Sequence, residues 1–188
     1  MAYFPAFLKF DDKRVLIVGG GKLAYDKLNH LLNFSPNITL IAKSFTEEIK
    51  TLIDENSLKC FTKEYEKGDV KNFDIVIVAV DDLFLQESIY FETREHKILC
   101  NCVDLKKYCD FIFPAYIKKG DLLVAISTNG SSPAFSKYFK KYLLNFIPNG
   151  VENFLDELKK LRETMPKGKA RMEFFDKKVK EYFSLLKK

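Results

Sequence analysis

The sequence has 188 residues, of which 47% are hydrophobic and 30% are charged, and its formal net charge is +5. This composition is ordinary for a soluble globular protein. No run approaches about 18 consecutive apolar residues, and the N-terminus lacks the pattern of a secretory signal, so we expect a cytoplasmic protein with no membrane partner. The cysteines Cys60, Cys100, Cys102 and Cys109 are predicted to be reduced thiols in the apolar interior rather than a disulfide framework.

The first part of the chain alternates short β-branched runs with stretches of helical periodicity. Strands are predicted at residues 14–18, 37–42, 59–61, 74–80 and 98–103. Helices are predicted after the first, second and fourth of these strands. Near-continuous apolar strands separated by helices are typical of a parallel sheet that is covered on both faces. We therefore predict an α/β fold that begins with a doubly wound, Rossmann-type parallel sheet.

The pattern changes after residue 113. Two strands are predicted at residues 111–117 and 122–127, and Pro133 is expected to open a helix, because proline is well placed at a first helical position. This helix carries an apolar stripe formed by Phe135, Tyr138, Phe139, Tyr142, Leu143 and Phe146. The stripe either packs within its own chain or contacts a second subunit. The segment is short and has little of its own to cover the stripe, so a homodimer is favoured.

Two further helices are predicted on either side of residues 166–168. The predicted domains are a Rossmann domain (residues 1–113), a small α+β dimerisation segment (residues 114–150) and a C-terminal helical module (residues 151–188). Lys and Arg number 15, 5 and 11 in these parts, against 18, 1 and 7 Asp and Glu. A basic region suits nucleic acid, anionic lipid or an anionic small substrate. Because no RNA-binding aromatic motif or zinc-finger spacing is present, nucleic acid is disfavoured.

A glycine-rich segment, GGGKLA, follows the first predicted strand and opens a helix. It matches the G-x-G-x-x-A form of the dinucleotide-binding fingerprint. Gly19 is expected to make the tight turn, Gly21 to let the pyrophosphate approach the backbone, and Ala24 to permit close packing of helix on strand. Lys22 and Leu23 begin the helix, whose N-terminal amides can bind phosphate. The alternative is a glycine turn without a ligand.

The residue type that usually binds the cofactor ribose is missing. An acidic residue about 20 positions beyond the glycines normally contacts the ribose hydroxyls of NAD. The end of the second predicted strand carries Lys43 and Ser44 instead. Lys43 is compatible with the 2′-phosphate of NADP. Alternatively, Lys43 is a solvated lysine, and Ser44 or the backbone contacts the ribose.

Carboxylates follow two other predicted strands. Asp104 ends the strand at residues 98–103, and Asp81 and Asp82 follow the strand at residues 74–80. Ligands of open α/β sheets bind outside the carboxyl ends of the strands, so we expect Asp81 to contact the cofactor. An acid in the position of Asp104 can serve as a general base beside the cofactor. On position alone, a helix cap is an equally good interpretation of Asp104.

The segment before the aromatic helix is rich in hydroxyl groups and backbone amides. Its candidate contacts to a substrate carboxylate or phosphate are Ser127, Thr128, Gly130, Ser131 and Ser132. Capping of the helix by Ser131 or Ser132 is an equally weighted alternative. The two histidines, His30 and His96, fall in different predicted helices, and no His/Cys cluster has metal-ligand spacing. We therefore expect no permanently bound metal.

Five stretches together resemble the siroheme synthase N-terminal family. They are residues 3–7, 18–24, 100–104, 111–115 and 124–134, in the family's order and spacing. The N-x-V-D stretch that ends at Asp104 and the S-T-x-G-x-S-P stretch that begins at Ser127 are specific, whereas the glycine motif alone would not be. The resemblance covers nearly the whole chain.

The resemblance implies NAD-dependent oxidation of precorrin-2, a tetrapyrrole polycarboxylate, to sirohydrochlorin. In many family members insertion of Fe²⁺, which is then a substrate, follows in the same cleft. The resemblance also implies that Asp104 accepts substrate protons, that NAD binds without the usual ribose acid, and that the protein is a homodimer. Asn101 lies in the same motif as Asp104 and is predicted to contact the substrate. One departure is Val80, where the family pattern predicts a threonine or a similar polar residue.

Two alternatives stay open at this stage. The chain could be a Rossmann oxidoreductase that acts on another anionic substrate, or a nucleotide-sensing regulatory module. Such a module normally carries the ribose-binding acid that is missing after the second predicted strand, so it is the less favoured of the two.

Overall fold

The computed structural model describes residues 3–34 and 37–186. The chain divides into two compact units, Tyr3–Ile112 and Phe113–Lys188. The predicted start of the first domain, at residue 1, and the predicted end of the last domain, at residue 188, lie outside the described residues. The subdivision of the second unit into a dimerisation segment and a helical module stays a prediction. No helix within the described ranges is long and apolar enough to cross a membrane.

The first unit is built on five strands: β1 (Val15–Val18), β2 (Ile38–Ala42), β3 (Lys59–Thr62), β4 (Ile75–Val78) and β5 (Leu99–Cys102). All neighbours are parallel, in the order β3-β2-β1-β4-β5. Three helices connect them: α1 (Lys22–Leu31), α2 (Glu47–Asn56) and α3 (Leu83–Glu95). The predicted Rossmann-type sheet is confirmed. The chain leaves β1 towards β2 on one side and returns to β4 on the other, which makes the gap between β1 and β4 the switch point where such folds bind ligands.

The core of the first unit lies on both faces of the three central strands. Every residue of β1, β2 and β4 is buried, because helices cover both faces of the sheet. The edge strand β3 has exposed side chains throughout. Cys60 is therefore exposed, and the prediction of an interior thiol is wrong at this position. Cys100 and Cys102 are buried in β5, and all four cysteines are free.

The second unit begins with an antiparallel hairpin of β6 (Ala115–Lys119) and β7 (Leu122–Ile126). Three helices follow: α4 (Pro133–Leu144), α5 (Val151–Thr164) and α6 (Lys169–Leu185). Pro133 opens α4 as predicted. The first strand of the hairpin begins at Ala115, so the predicted start at residue 111 is wrong.

The residues before β6 are bonded to β5 instead. Asp110 N donates to Cys100 O at 2.8 Å, and Asn101 Nδ2 donates to Phe111 O at 2.8 Å. Pro114, the residue directly before β6, has no N–H group to contribute to a ladder. These bonds occupy the backbone that an earlier start of the strand would need.

Helices α5 and α6 pack against each other through aromatic rings. The rings of Phe154 and Tyr182 stack with their centroids 3.9 Å apart. The guanidinium of Arg162 lies 5.0 Å from the centre of the Phe175 ring, a cation–π contact between the two helices. Phe175 is buried, and it anchors α6 in this contact.

The aromatic stripe of α4 is exposed within its own chain. Phe135, Tyr138, Tyr142 and Phe146 are 56%, 67%, 56% and 64% exposed. The residue that α4 does bury is Ser136, on another face of the helix. The interpretation of the stripe as an intramolecular core is therefore wrong.

Candidate active site

A cavity of about 870 Å³ lies at the carboxyl edge of the parallel sheet. Every strand of the sheet contributes to its lining: residues 19–23 after β1, 42–46 from the end of β2, 63–65 after β3, 79–82 after β4, and Asp104 after β5. Parallel strands end at the same edge, so segments that are distant in the sequence meet there. This is the position in which open α/β sheets bind their ligands.

The three glycines after β1 meet different surroundings. Gly19 has a φ of +134°, and a Cβ there would lie 2.2 Å from Ala79 O. A Cβ on Gly20 would lie 1.9 Å from Ser44 O. A Cβ on Gly21 would meet no described atom within 4 Å. Packing of the turn therefore requires the first two glycines, whereas Gly21 borders open space of the kind that a pyrophosphate needs.

Helix α1 begins at Lys22, and its N-cap residue, Gly21, has no side chain that could cap the first turn. Its first amides have no partners within the helix and lie at the positive end of the helix dipole, which makes this start suitable for an anion. Ala24 is fully buried, as close packing of helix on sheet requires. Leu23 lines the cavity. The Nζ of Lys22 lies 3.0 Å from Asp26, and the hydrogen bond between them raises the pKa of the lysine.

Asp104 lines the same cavity after the end of β5. It is exposed and has a left-handed backbone conformation, with a φ of +66°. Non-glycine residues are uncommon in this conformation and concentrate at functional sites. The 3₁₀ turn Lys106–Tyr108 begins from Leu105 without a side-chain cap, so the interpretation of Asp104 as a helix cap is wrong.

Lys27 of α1 lies close enough to Asp104 for their charges to interact, and it was not among the site residues predicted from the sequence. Burial lowers the pKa of Lys27, and the negative charge of Asp104 acts in the opposite direction. A lysine inside a helix gives no sequence signal for such a position, because the contact depends on how α1 packs beside the end of β5.

The Asp104 loop is fixed by a network around Asp110. The carboxylate of Asp110 accepts a hydrogen bond from Cys100 N at 2.7 Å. It also accepts from both terminal nitrogens of Arg94, at 2.9 and 2.5 Å. These bonds join α3, β5 and the segment after Asp104, so the loop is held at both ends.

Asn101 is buried in β5, with 5% of its surface exposed. Asn101 is not one of the described residues that line the cavity. Its Nδ2 bonds to the loop after Asp104, while its Oδ1 has no hydrogen-bond partner in the described part of the chain. The observed role of Asn101 is to tie the strand to that loop, and its contact with a substrate stays a prediction.

The two aspartates after β4 differ in their contacts. Asp82 caps α3, because its carboxylate accepts from two backbone amides of the first turn at 3.0 and 3.1 Å. Asp81 lines the cavity and remains the candidate contact to a cofactor. The carbonyl of Val80 accepts a hydrogen bond from Gln86 Nε2 at 2.7 Å, which fixes the backbone of this loop.

Lys43, at the end of β2, forms an ion pair across the lining. Its Nζ lies 2.8 Å from Oε1 of Glu64, which follows β3. Ser44 contributes its backbone carbonyl to the close contact with Gly20 described above. The sequence offered two interpretations of Lys43, a solvated lysine and a lysine that binds a 2′-phosphate. Neither included this ion pair.

Tyr65 lines the cavity and is held from α3. Its hydroxyl donates to Glu92 Oε2 at 2.7 Å, and Gly68 N donates to Glu92 Oε1 at 2.6 Å. Glu92 is 4% exposed, so both bonds are shielded from water. Burial and the bond to Glu92 raise the pKa of Tyr65. The loop between β3 and β4 is thereby attached to α3.

The hydroxyl-rich segment lies in the second unit. Ser132 Oγ accepts from Phe135 N at 3.1 Å, so Ser132 caps α4. Thr128 Oγ1 accepts from Ser132 N at 3.1 Å, and Ser127 Oγ accepts from Asn129 N at 3.0 Å. The capping alternative is thus observed at Ser132, while binding of an anion by the segment stays a prediction.

The other candidate residues of that segment, Gly130 and Ser131, are exposed, and Gly130 has a φ of +84°. His30 and His96 are exposed as well, in α1 and after α3. Among the described residues, no three His, Cys, Asp or Glu side chains form a group that could hold a metal ion.

The chain matches the family described as putative NAD(P)-binding over residues 6–115. Siroheme synthase from Methylococcus capsulatus is 35% identical over 181 residues, which are 94% of this chain and 38% of the relative. Siroheme synthase from Psychrobacter arcticus is 35% identical over 150 residues, 80% of this chain and 27% of the relative. The solved structure of SirC, precorrin-2 dehydrogenase, is similar with a TM-score of 0.77 and 23% identity, over 94% of this chain and 89% of that chain.

The family match covers more than half of the chain, which therefore belongs to the putative NAD(P)-binding family. The likeness to SirC shows a shared fold. The curated relatives confirm the resemblance to the siroheme synthase N-terminal family that the motifs indicated. The chain spans well under half the length of these relatives.

Proposed function

We propose that the chain binds NAD in the cavity at the carboxyl edge of its sheet. The open space at Gly21, the uncapped start of α1 and the burial of Ala24 support this proposal. Together they suit a pyrophosphate bound by backbone amides, as in other dinucleotide-binding α/β proteins. Lys43, Ser44 and Asp81 border the same cavity and are proposed to contact the rest of the cofactor.

We propose that the reaction is the NAD-dependent oxidation of precorrin-2 to sirohydrochlorin. The observation that carries this proposal is the carboxylate of Asp104 in the same cavity as the glycine turn. The oxidation removes a hydride and a proton from the substrate, and NAD, when bound, accepts the hydride. Asp104 acts as the general base that accepts the proton. The names of the similar proteins, siroheme synthase and precorrin-2 dehydrogenase, point to this substrate.

The same carboxylate is proposed to serve a second step, the insertion of Fe²⁺ into sirohydrochlorin. Insertion displaces pyrrole N–H protons, which need an acceptor, and Fe²⁺ is a substrate of this step. An anaerobic assay with sirohydrochlorin and Fe²⁺ tests it. Siroheme formation supports the second step, and its absence in a protein that oxidises precorrin-2 contradicts it.

The carboxylates of the substrate are proposed to meet basic and hydroxyl-bearing residues. Residues 114–150 carry 5 Lys and Arg against 1 Asp, and residues 151–188 carry 11 against 7 Asp and Glu. A cationic surface with hydroxyl donors suits a polycarboxylate. The proposed contacts are Asn101, Ser127, Thr128, Gly130, Ser131 and Ser132.

We propose that the protein is a homodimer that uses the exposed stripe of α4. The rings of Phe135, Phe139, Tyr142 and Phe146 form a row with successive centroid distances of 5.4, 6.1 and 4.7 Å. A contiguous aromatic surface of this kind is typical of an interface rather than of a monomer surface. Sedimentation at micromolar concentration should give twice the monomer mass, and a monomer would contradict the proposal.

The function is tested by an anaerobic assay of the purified chain with precorrin-2 and NAD. Formation of sirohydrochlorin and NADH in equal amounts supports the proposed reaction. NAD binding without turnover of precorrin-2 contradicts it. That result would favour either an oxidoreductase for another anionic substrate or a nucleotide-sensing module, and a screen of anionic substrates for NAD reduction separates these two.

A further inference from the structure

The basic residues among the described residues that line the cofactor cavity are Lys22, Lys43 and Lys63. Each has a carboxylate partner, at Nζ–O distances of 3.0, 2.8 and 2.8 Å respectively. The acidic lining residues are Glu64, Asp81, Asp82 and Asp104. The lining thus has more carboxylates than cations, and each of its cations is already paired.

This charge pattern bears on the choice between NAD and NADP. NADP carries an extra phosphate on the adenosine ribose, which adds a charge of about −1.5 to −2. Sites for NADP place a cation near that phosphate, whereas sites for NAD place a carboxylate at the ribose hydroxyls. The carboxylate normally stands at the end of the second strand, where this chain has Lys43.

Strand pairing brings a carboxylate to that position from the neighbouring strand. Ala42 in β2 is in register with Thr62 in β3, and Lys63 N donates to Ala42 O at 2.9 Å. The two strands therefore end side by side. Lys43 and Glu64, which follow them, meet in the ion pair at the lining, and their side chains remain 74% and 73% exposed. The glutamate is thus accessible to a molecule in the cavity.

We propose that Glu64 is the residue that selects NAD over NADP. Its carboxylate accepts hydrogen bonds from the hydroxyls of the adenosine ribose and repels a 2′-phosphate. In the choice between the two cofactors Lys43 acts through Glu64, whatever its own contact with the cofactor: it holds the carboxylate at the lining, and its charge is neutralised by the ion pair. The hydrogen bond to Glu64 raises the pKa of Lys43, in keeping with a lysine that is charged and engaged. This inference rests on the proposed binding of NAD and adds the residue that discriminates.

A surface ion pair without any role in specificity is the competing explanation, since exposed pairs contribute little to stability. The two explanations predict different effects when Glu64 or Lys43 is replaced. A pair without a role predicts the same small effect from the loss of either side chain. Selection by Glu64 predicts opposite effects: Glu64→Gln leaves the lysine unpaired and available to a 2′-phosphate, whereas Lys43→Met leaves the carboxylate unpaired and still repulsive.

Calorimetric titration of the 188-residue chain with NAD and with NADP measures both dissociation constants. Glu66→Gln is the matched control, because Glu66 is in the same loop and pairs with Lys63 at 3.2 Å but is not among the described lining residues. We expect the wild type to prefer NAD by about tenfold or more, and Glu64→Gln to reduce this preference roughly tenfold. Lys43→Met should keep or increase the preference, and Glu66→Gln should leave it nearly unchanged.

Thermal unfolding verifies that all four proteins fold. An unchanged preference in Glu64→Gln, an equal loss in Glu66→Gln, or a wild type that prefers NADP would overturn the assignment of Glu64 and leave the proposed dinucleotide binding intact. A wild type that binds neither cofactor would overturn both proposals. The expected pattern, with opposite effects of the two partners, supports the selective role of Glu64.

Discussion

The two units of the chain differ in how they bury hydrophobic side chains. The first unit buries the whole of β1, β2 and β4, because helices can cover both faces of a five-stranded sheet. In the described part of the second unit, the buried hydrophobic side chains are Ile117, Ile126, Val151 and Phe175. Both units have three helices, but a two-stranded hairpin offers them too little sheet surface to form a large core.

The difference separates two kinds of function. The first unit lines the cavity with its own loops, whereas the second unit exposes the aromatic row of α4 within the described part of the chain. Changes in the cavity should therefore affect cofactor and chemistry without affecting assembly, and changes in the row should do the reverse.

The largest effect is expected in the glycine turn. Gly21→Asp adds a carboxylate where a pyrophosphate is proposed to bind, at backbone angles that an L residue can adopt (φ −100°, ψ −166°). We expect no NAD binding in calorimetry and an unchanged Tm and sedimentation mass. Gly20→Ala is the contrasting variant, because its Cβ would lie 1.9 Å from Ser44 O and should lower the Tm. Normal NAD binding by folded Gly21→Asp would contradict the proposed position of the pyrophosphate.

The next largest effect is expected at Asp104. Asp104→Asn removes the proposed general base, which should lower turnover about 10²–10⁴-fold, while calorimetry should show nearly unchanged NAD affinity. Insertion of Fe²⁺ should fall in the same variant. Wild-type turnover would remove Asp104 from the mechanism. Loss of one activity alone would show that the two reactions use different bases.

The aromatic row is tested by sedimentation. Phe139→Ser combined with Tyr142→Ser interrupts the row of rings, and we expect a dimeric wild type to become a monomer at micromolar concentration. NAD affinity should be nearly unchanged. Phe61→Ser is the control, because Phe61 is an aromatic residue of the first unit that is 51% exposed and should not affect the mass. A double variant that stays dimeric would place the interface elsewhere.

The smallest effects are expected from two ion pairs. Arg94→Ala removes the paired bonds to Asp110 and should lower the free energy of unfolding by about 1–3 kcal/mol. Lys159→Ala removes the exposed pair with Asp121 in the second unit and should cause no measurable change. Urea unfolding compares the two variants. Equal losses would mean that the loop around Asp110 is no more firmly held than a surface pair.

Much of the first unit could be predicted from the sequence because its signals are local. The strands are short apolar runs, and the glycine motif directly follows one of them. Asp104 could be assigned to the carboxyl edge because strand ends in a parallel sheet share one edge. The order of strands and motifs along the chain was therefore enough to predict the fold of the first unit and the position of the cavity.

Other features depend on which strands are neighbours and could not be read along the chain. Glu64 is brought to the cavity by the pairing of β3 with β2, and the need for Gly20 comes from the carbonyl of Ser44. Cys60 is exposed together with every other residue of β3, whereas β5, the other edge strand, buries three of its four residues. The sequence predicts where the strands lie along the chain, but it does not show which two of them end up at the edges of the sheet.

The hydrogen bond between Tyr65 and Glu92 gives the chain a spectroscopic reporter of its own. The chain has 9 tyrosines and no tryptophan, so its ultraviolet signal comes from phenol groups. Because the pKa of Tyr65 is raised in the fold, this phenol stays protonated at about pH 10, where tyrosine in a model peptide ionises. The contribution of this group to stability is present below that pH and is lost as the pH rises above it. Because the pKa of Tyr3 is raised as well, alkaline difference spectra of the wild type must be compared with those of Tyr65→Phe to follow the opening of the loop beside the cavity.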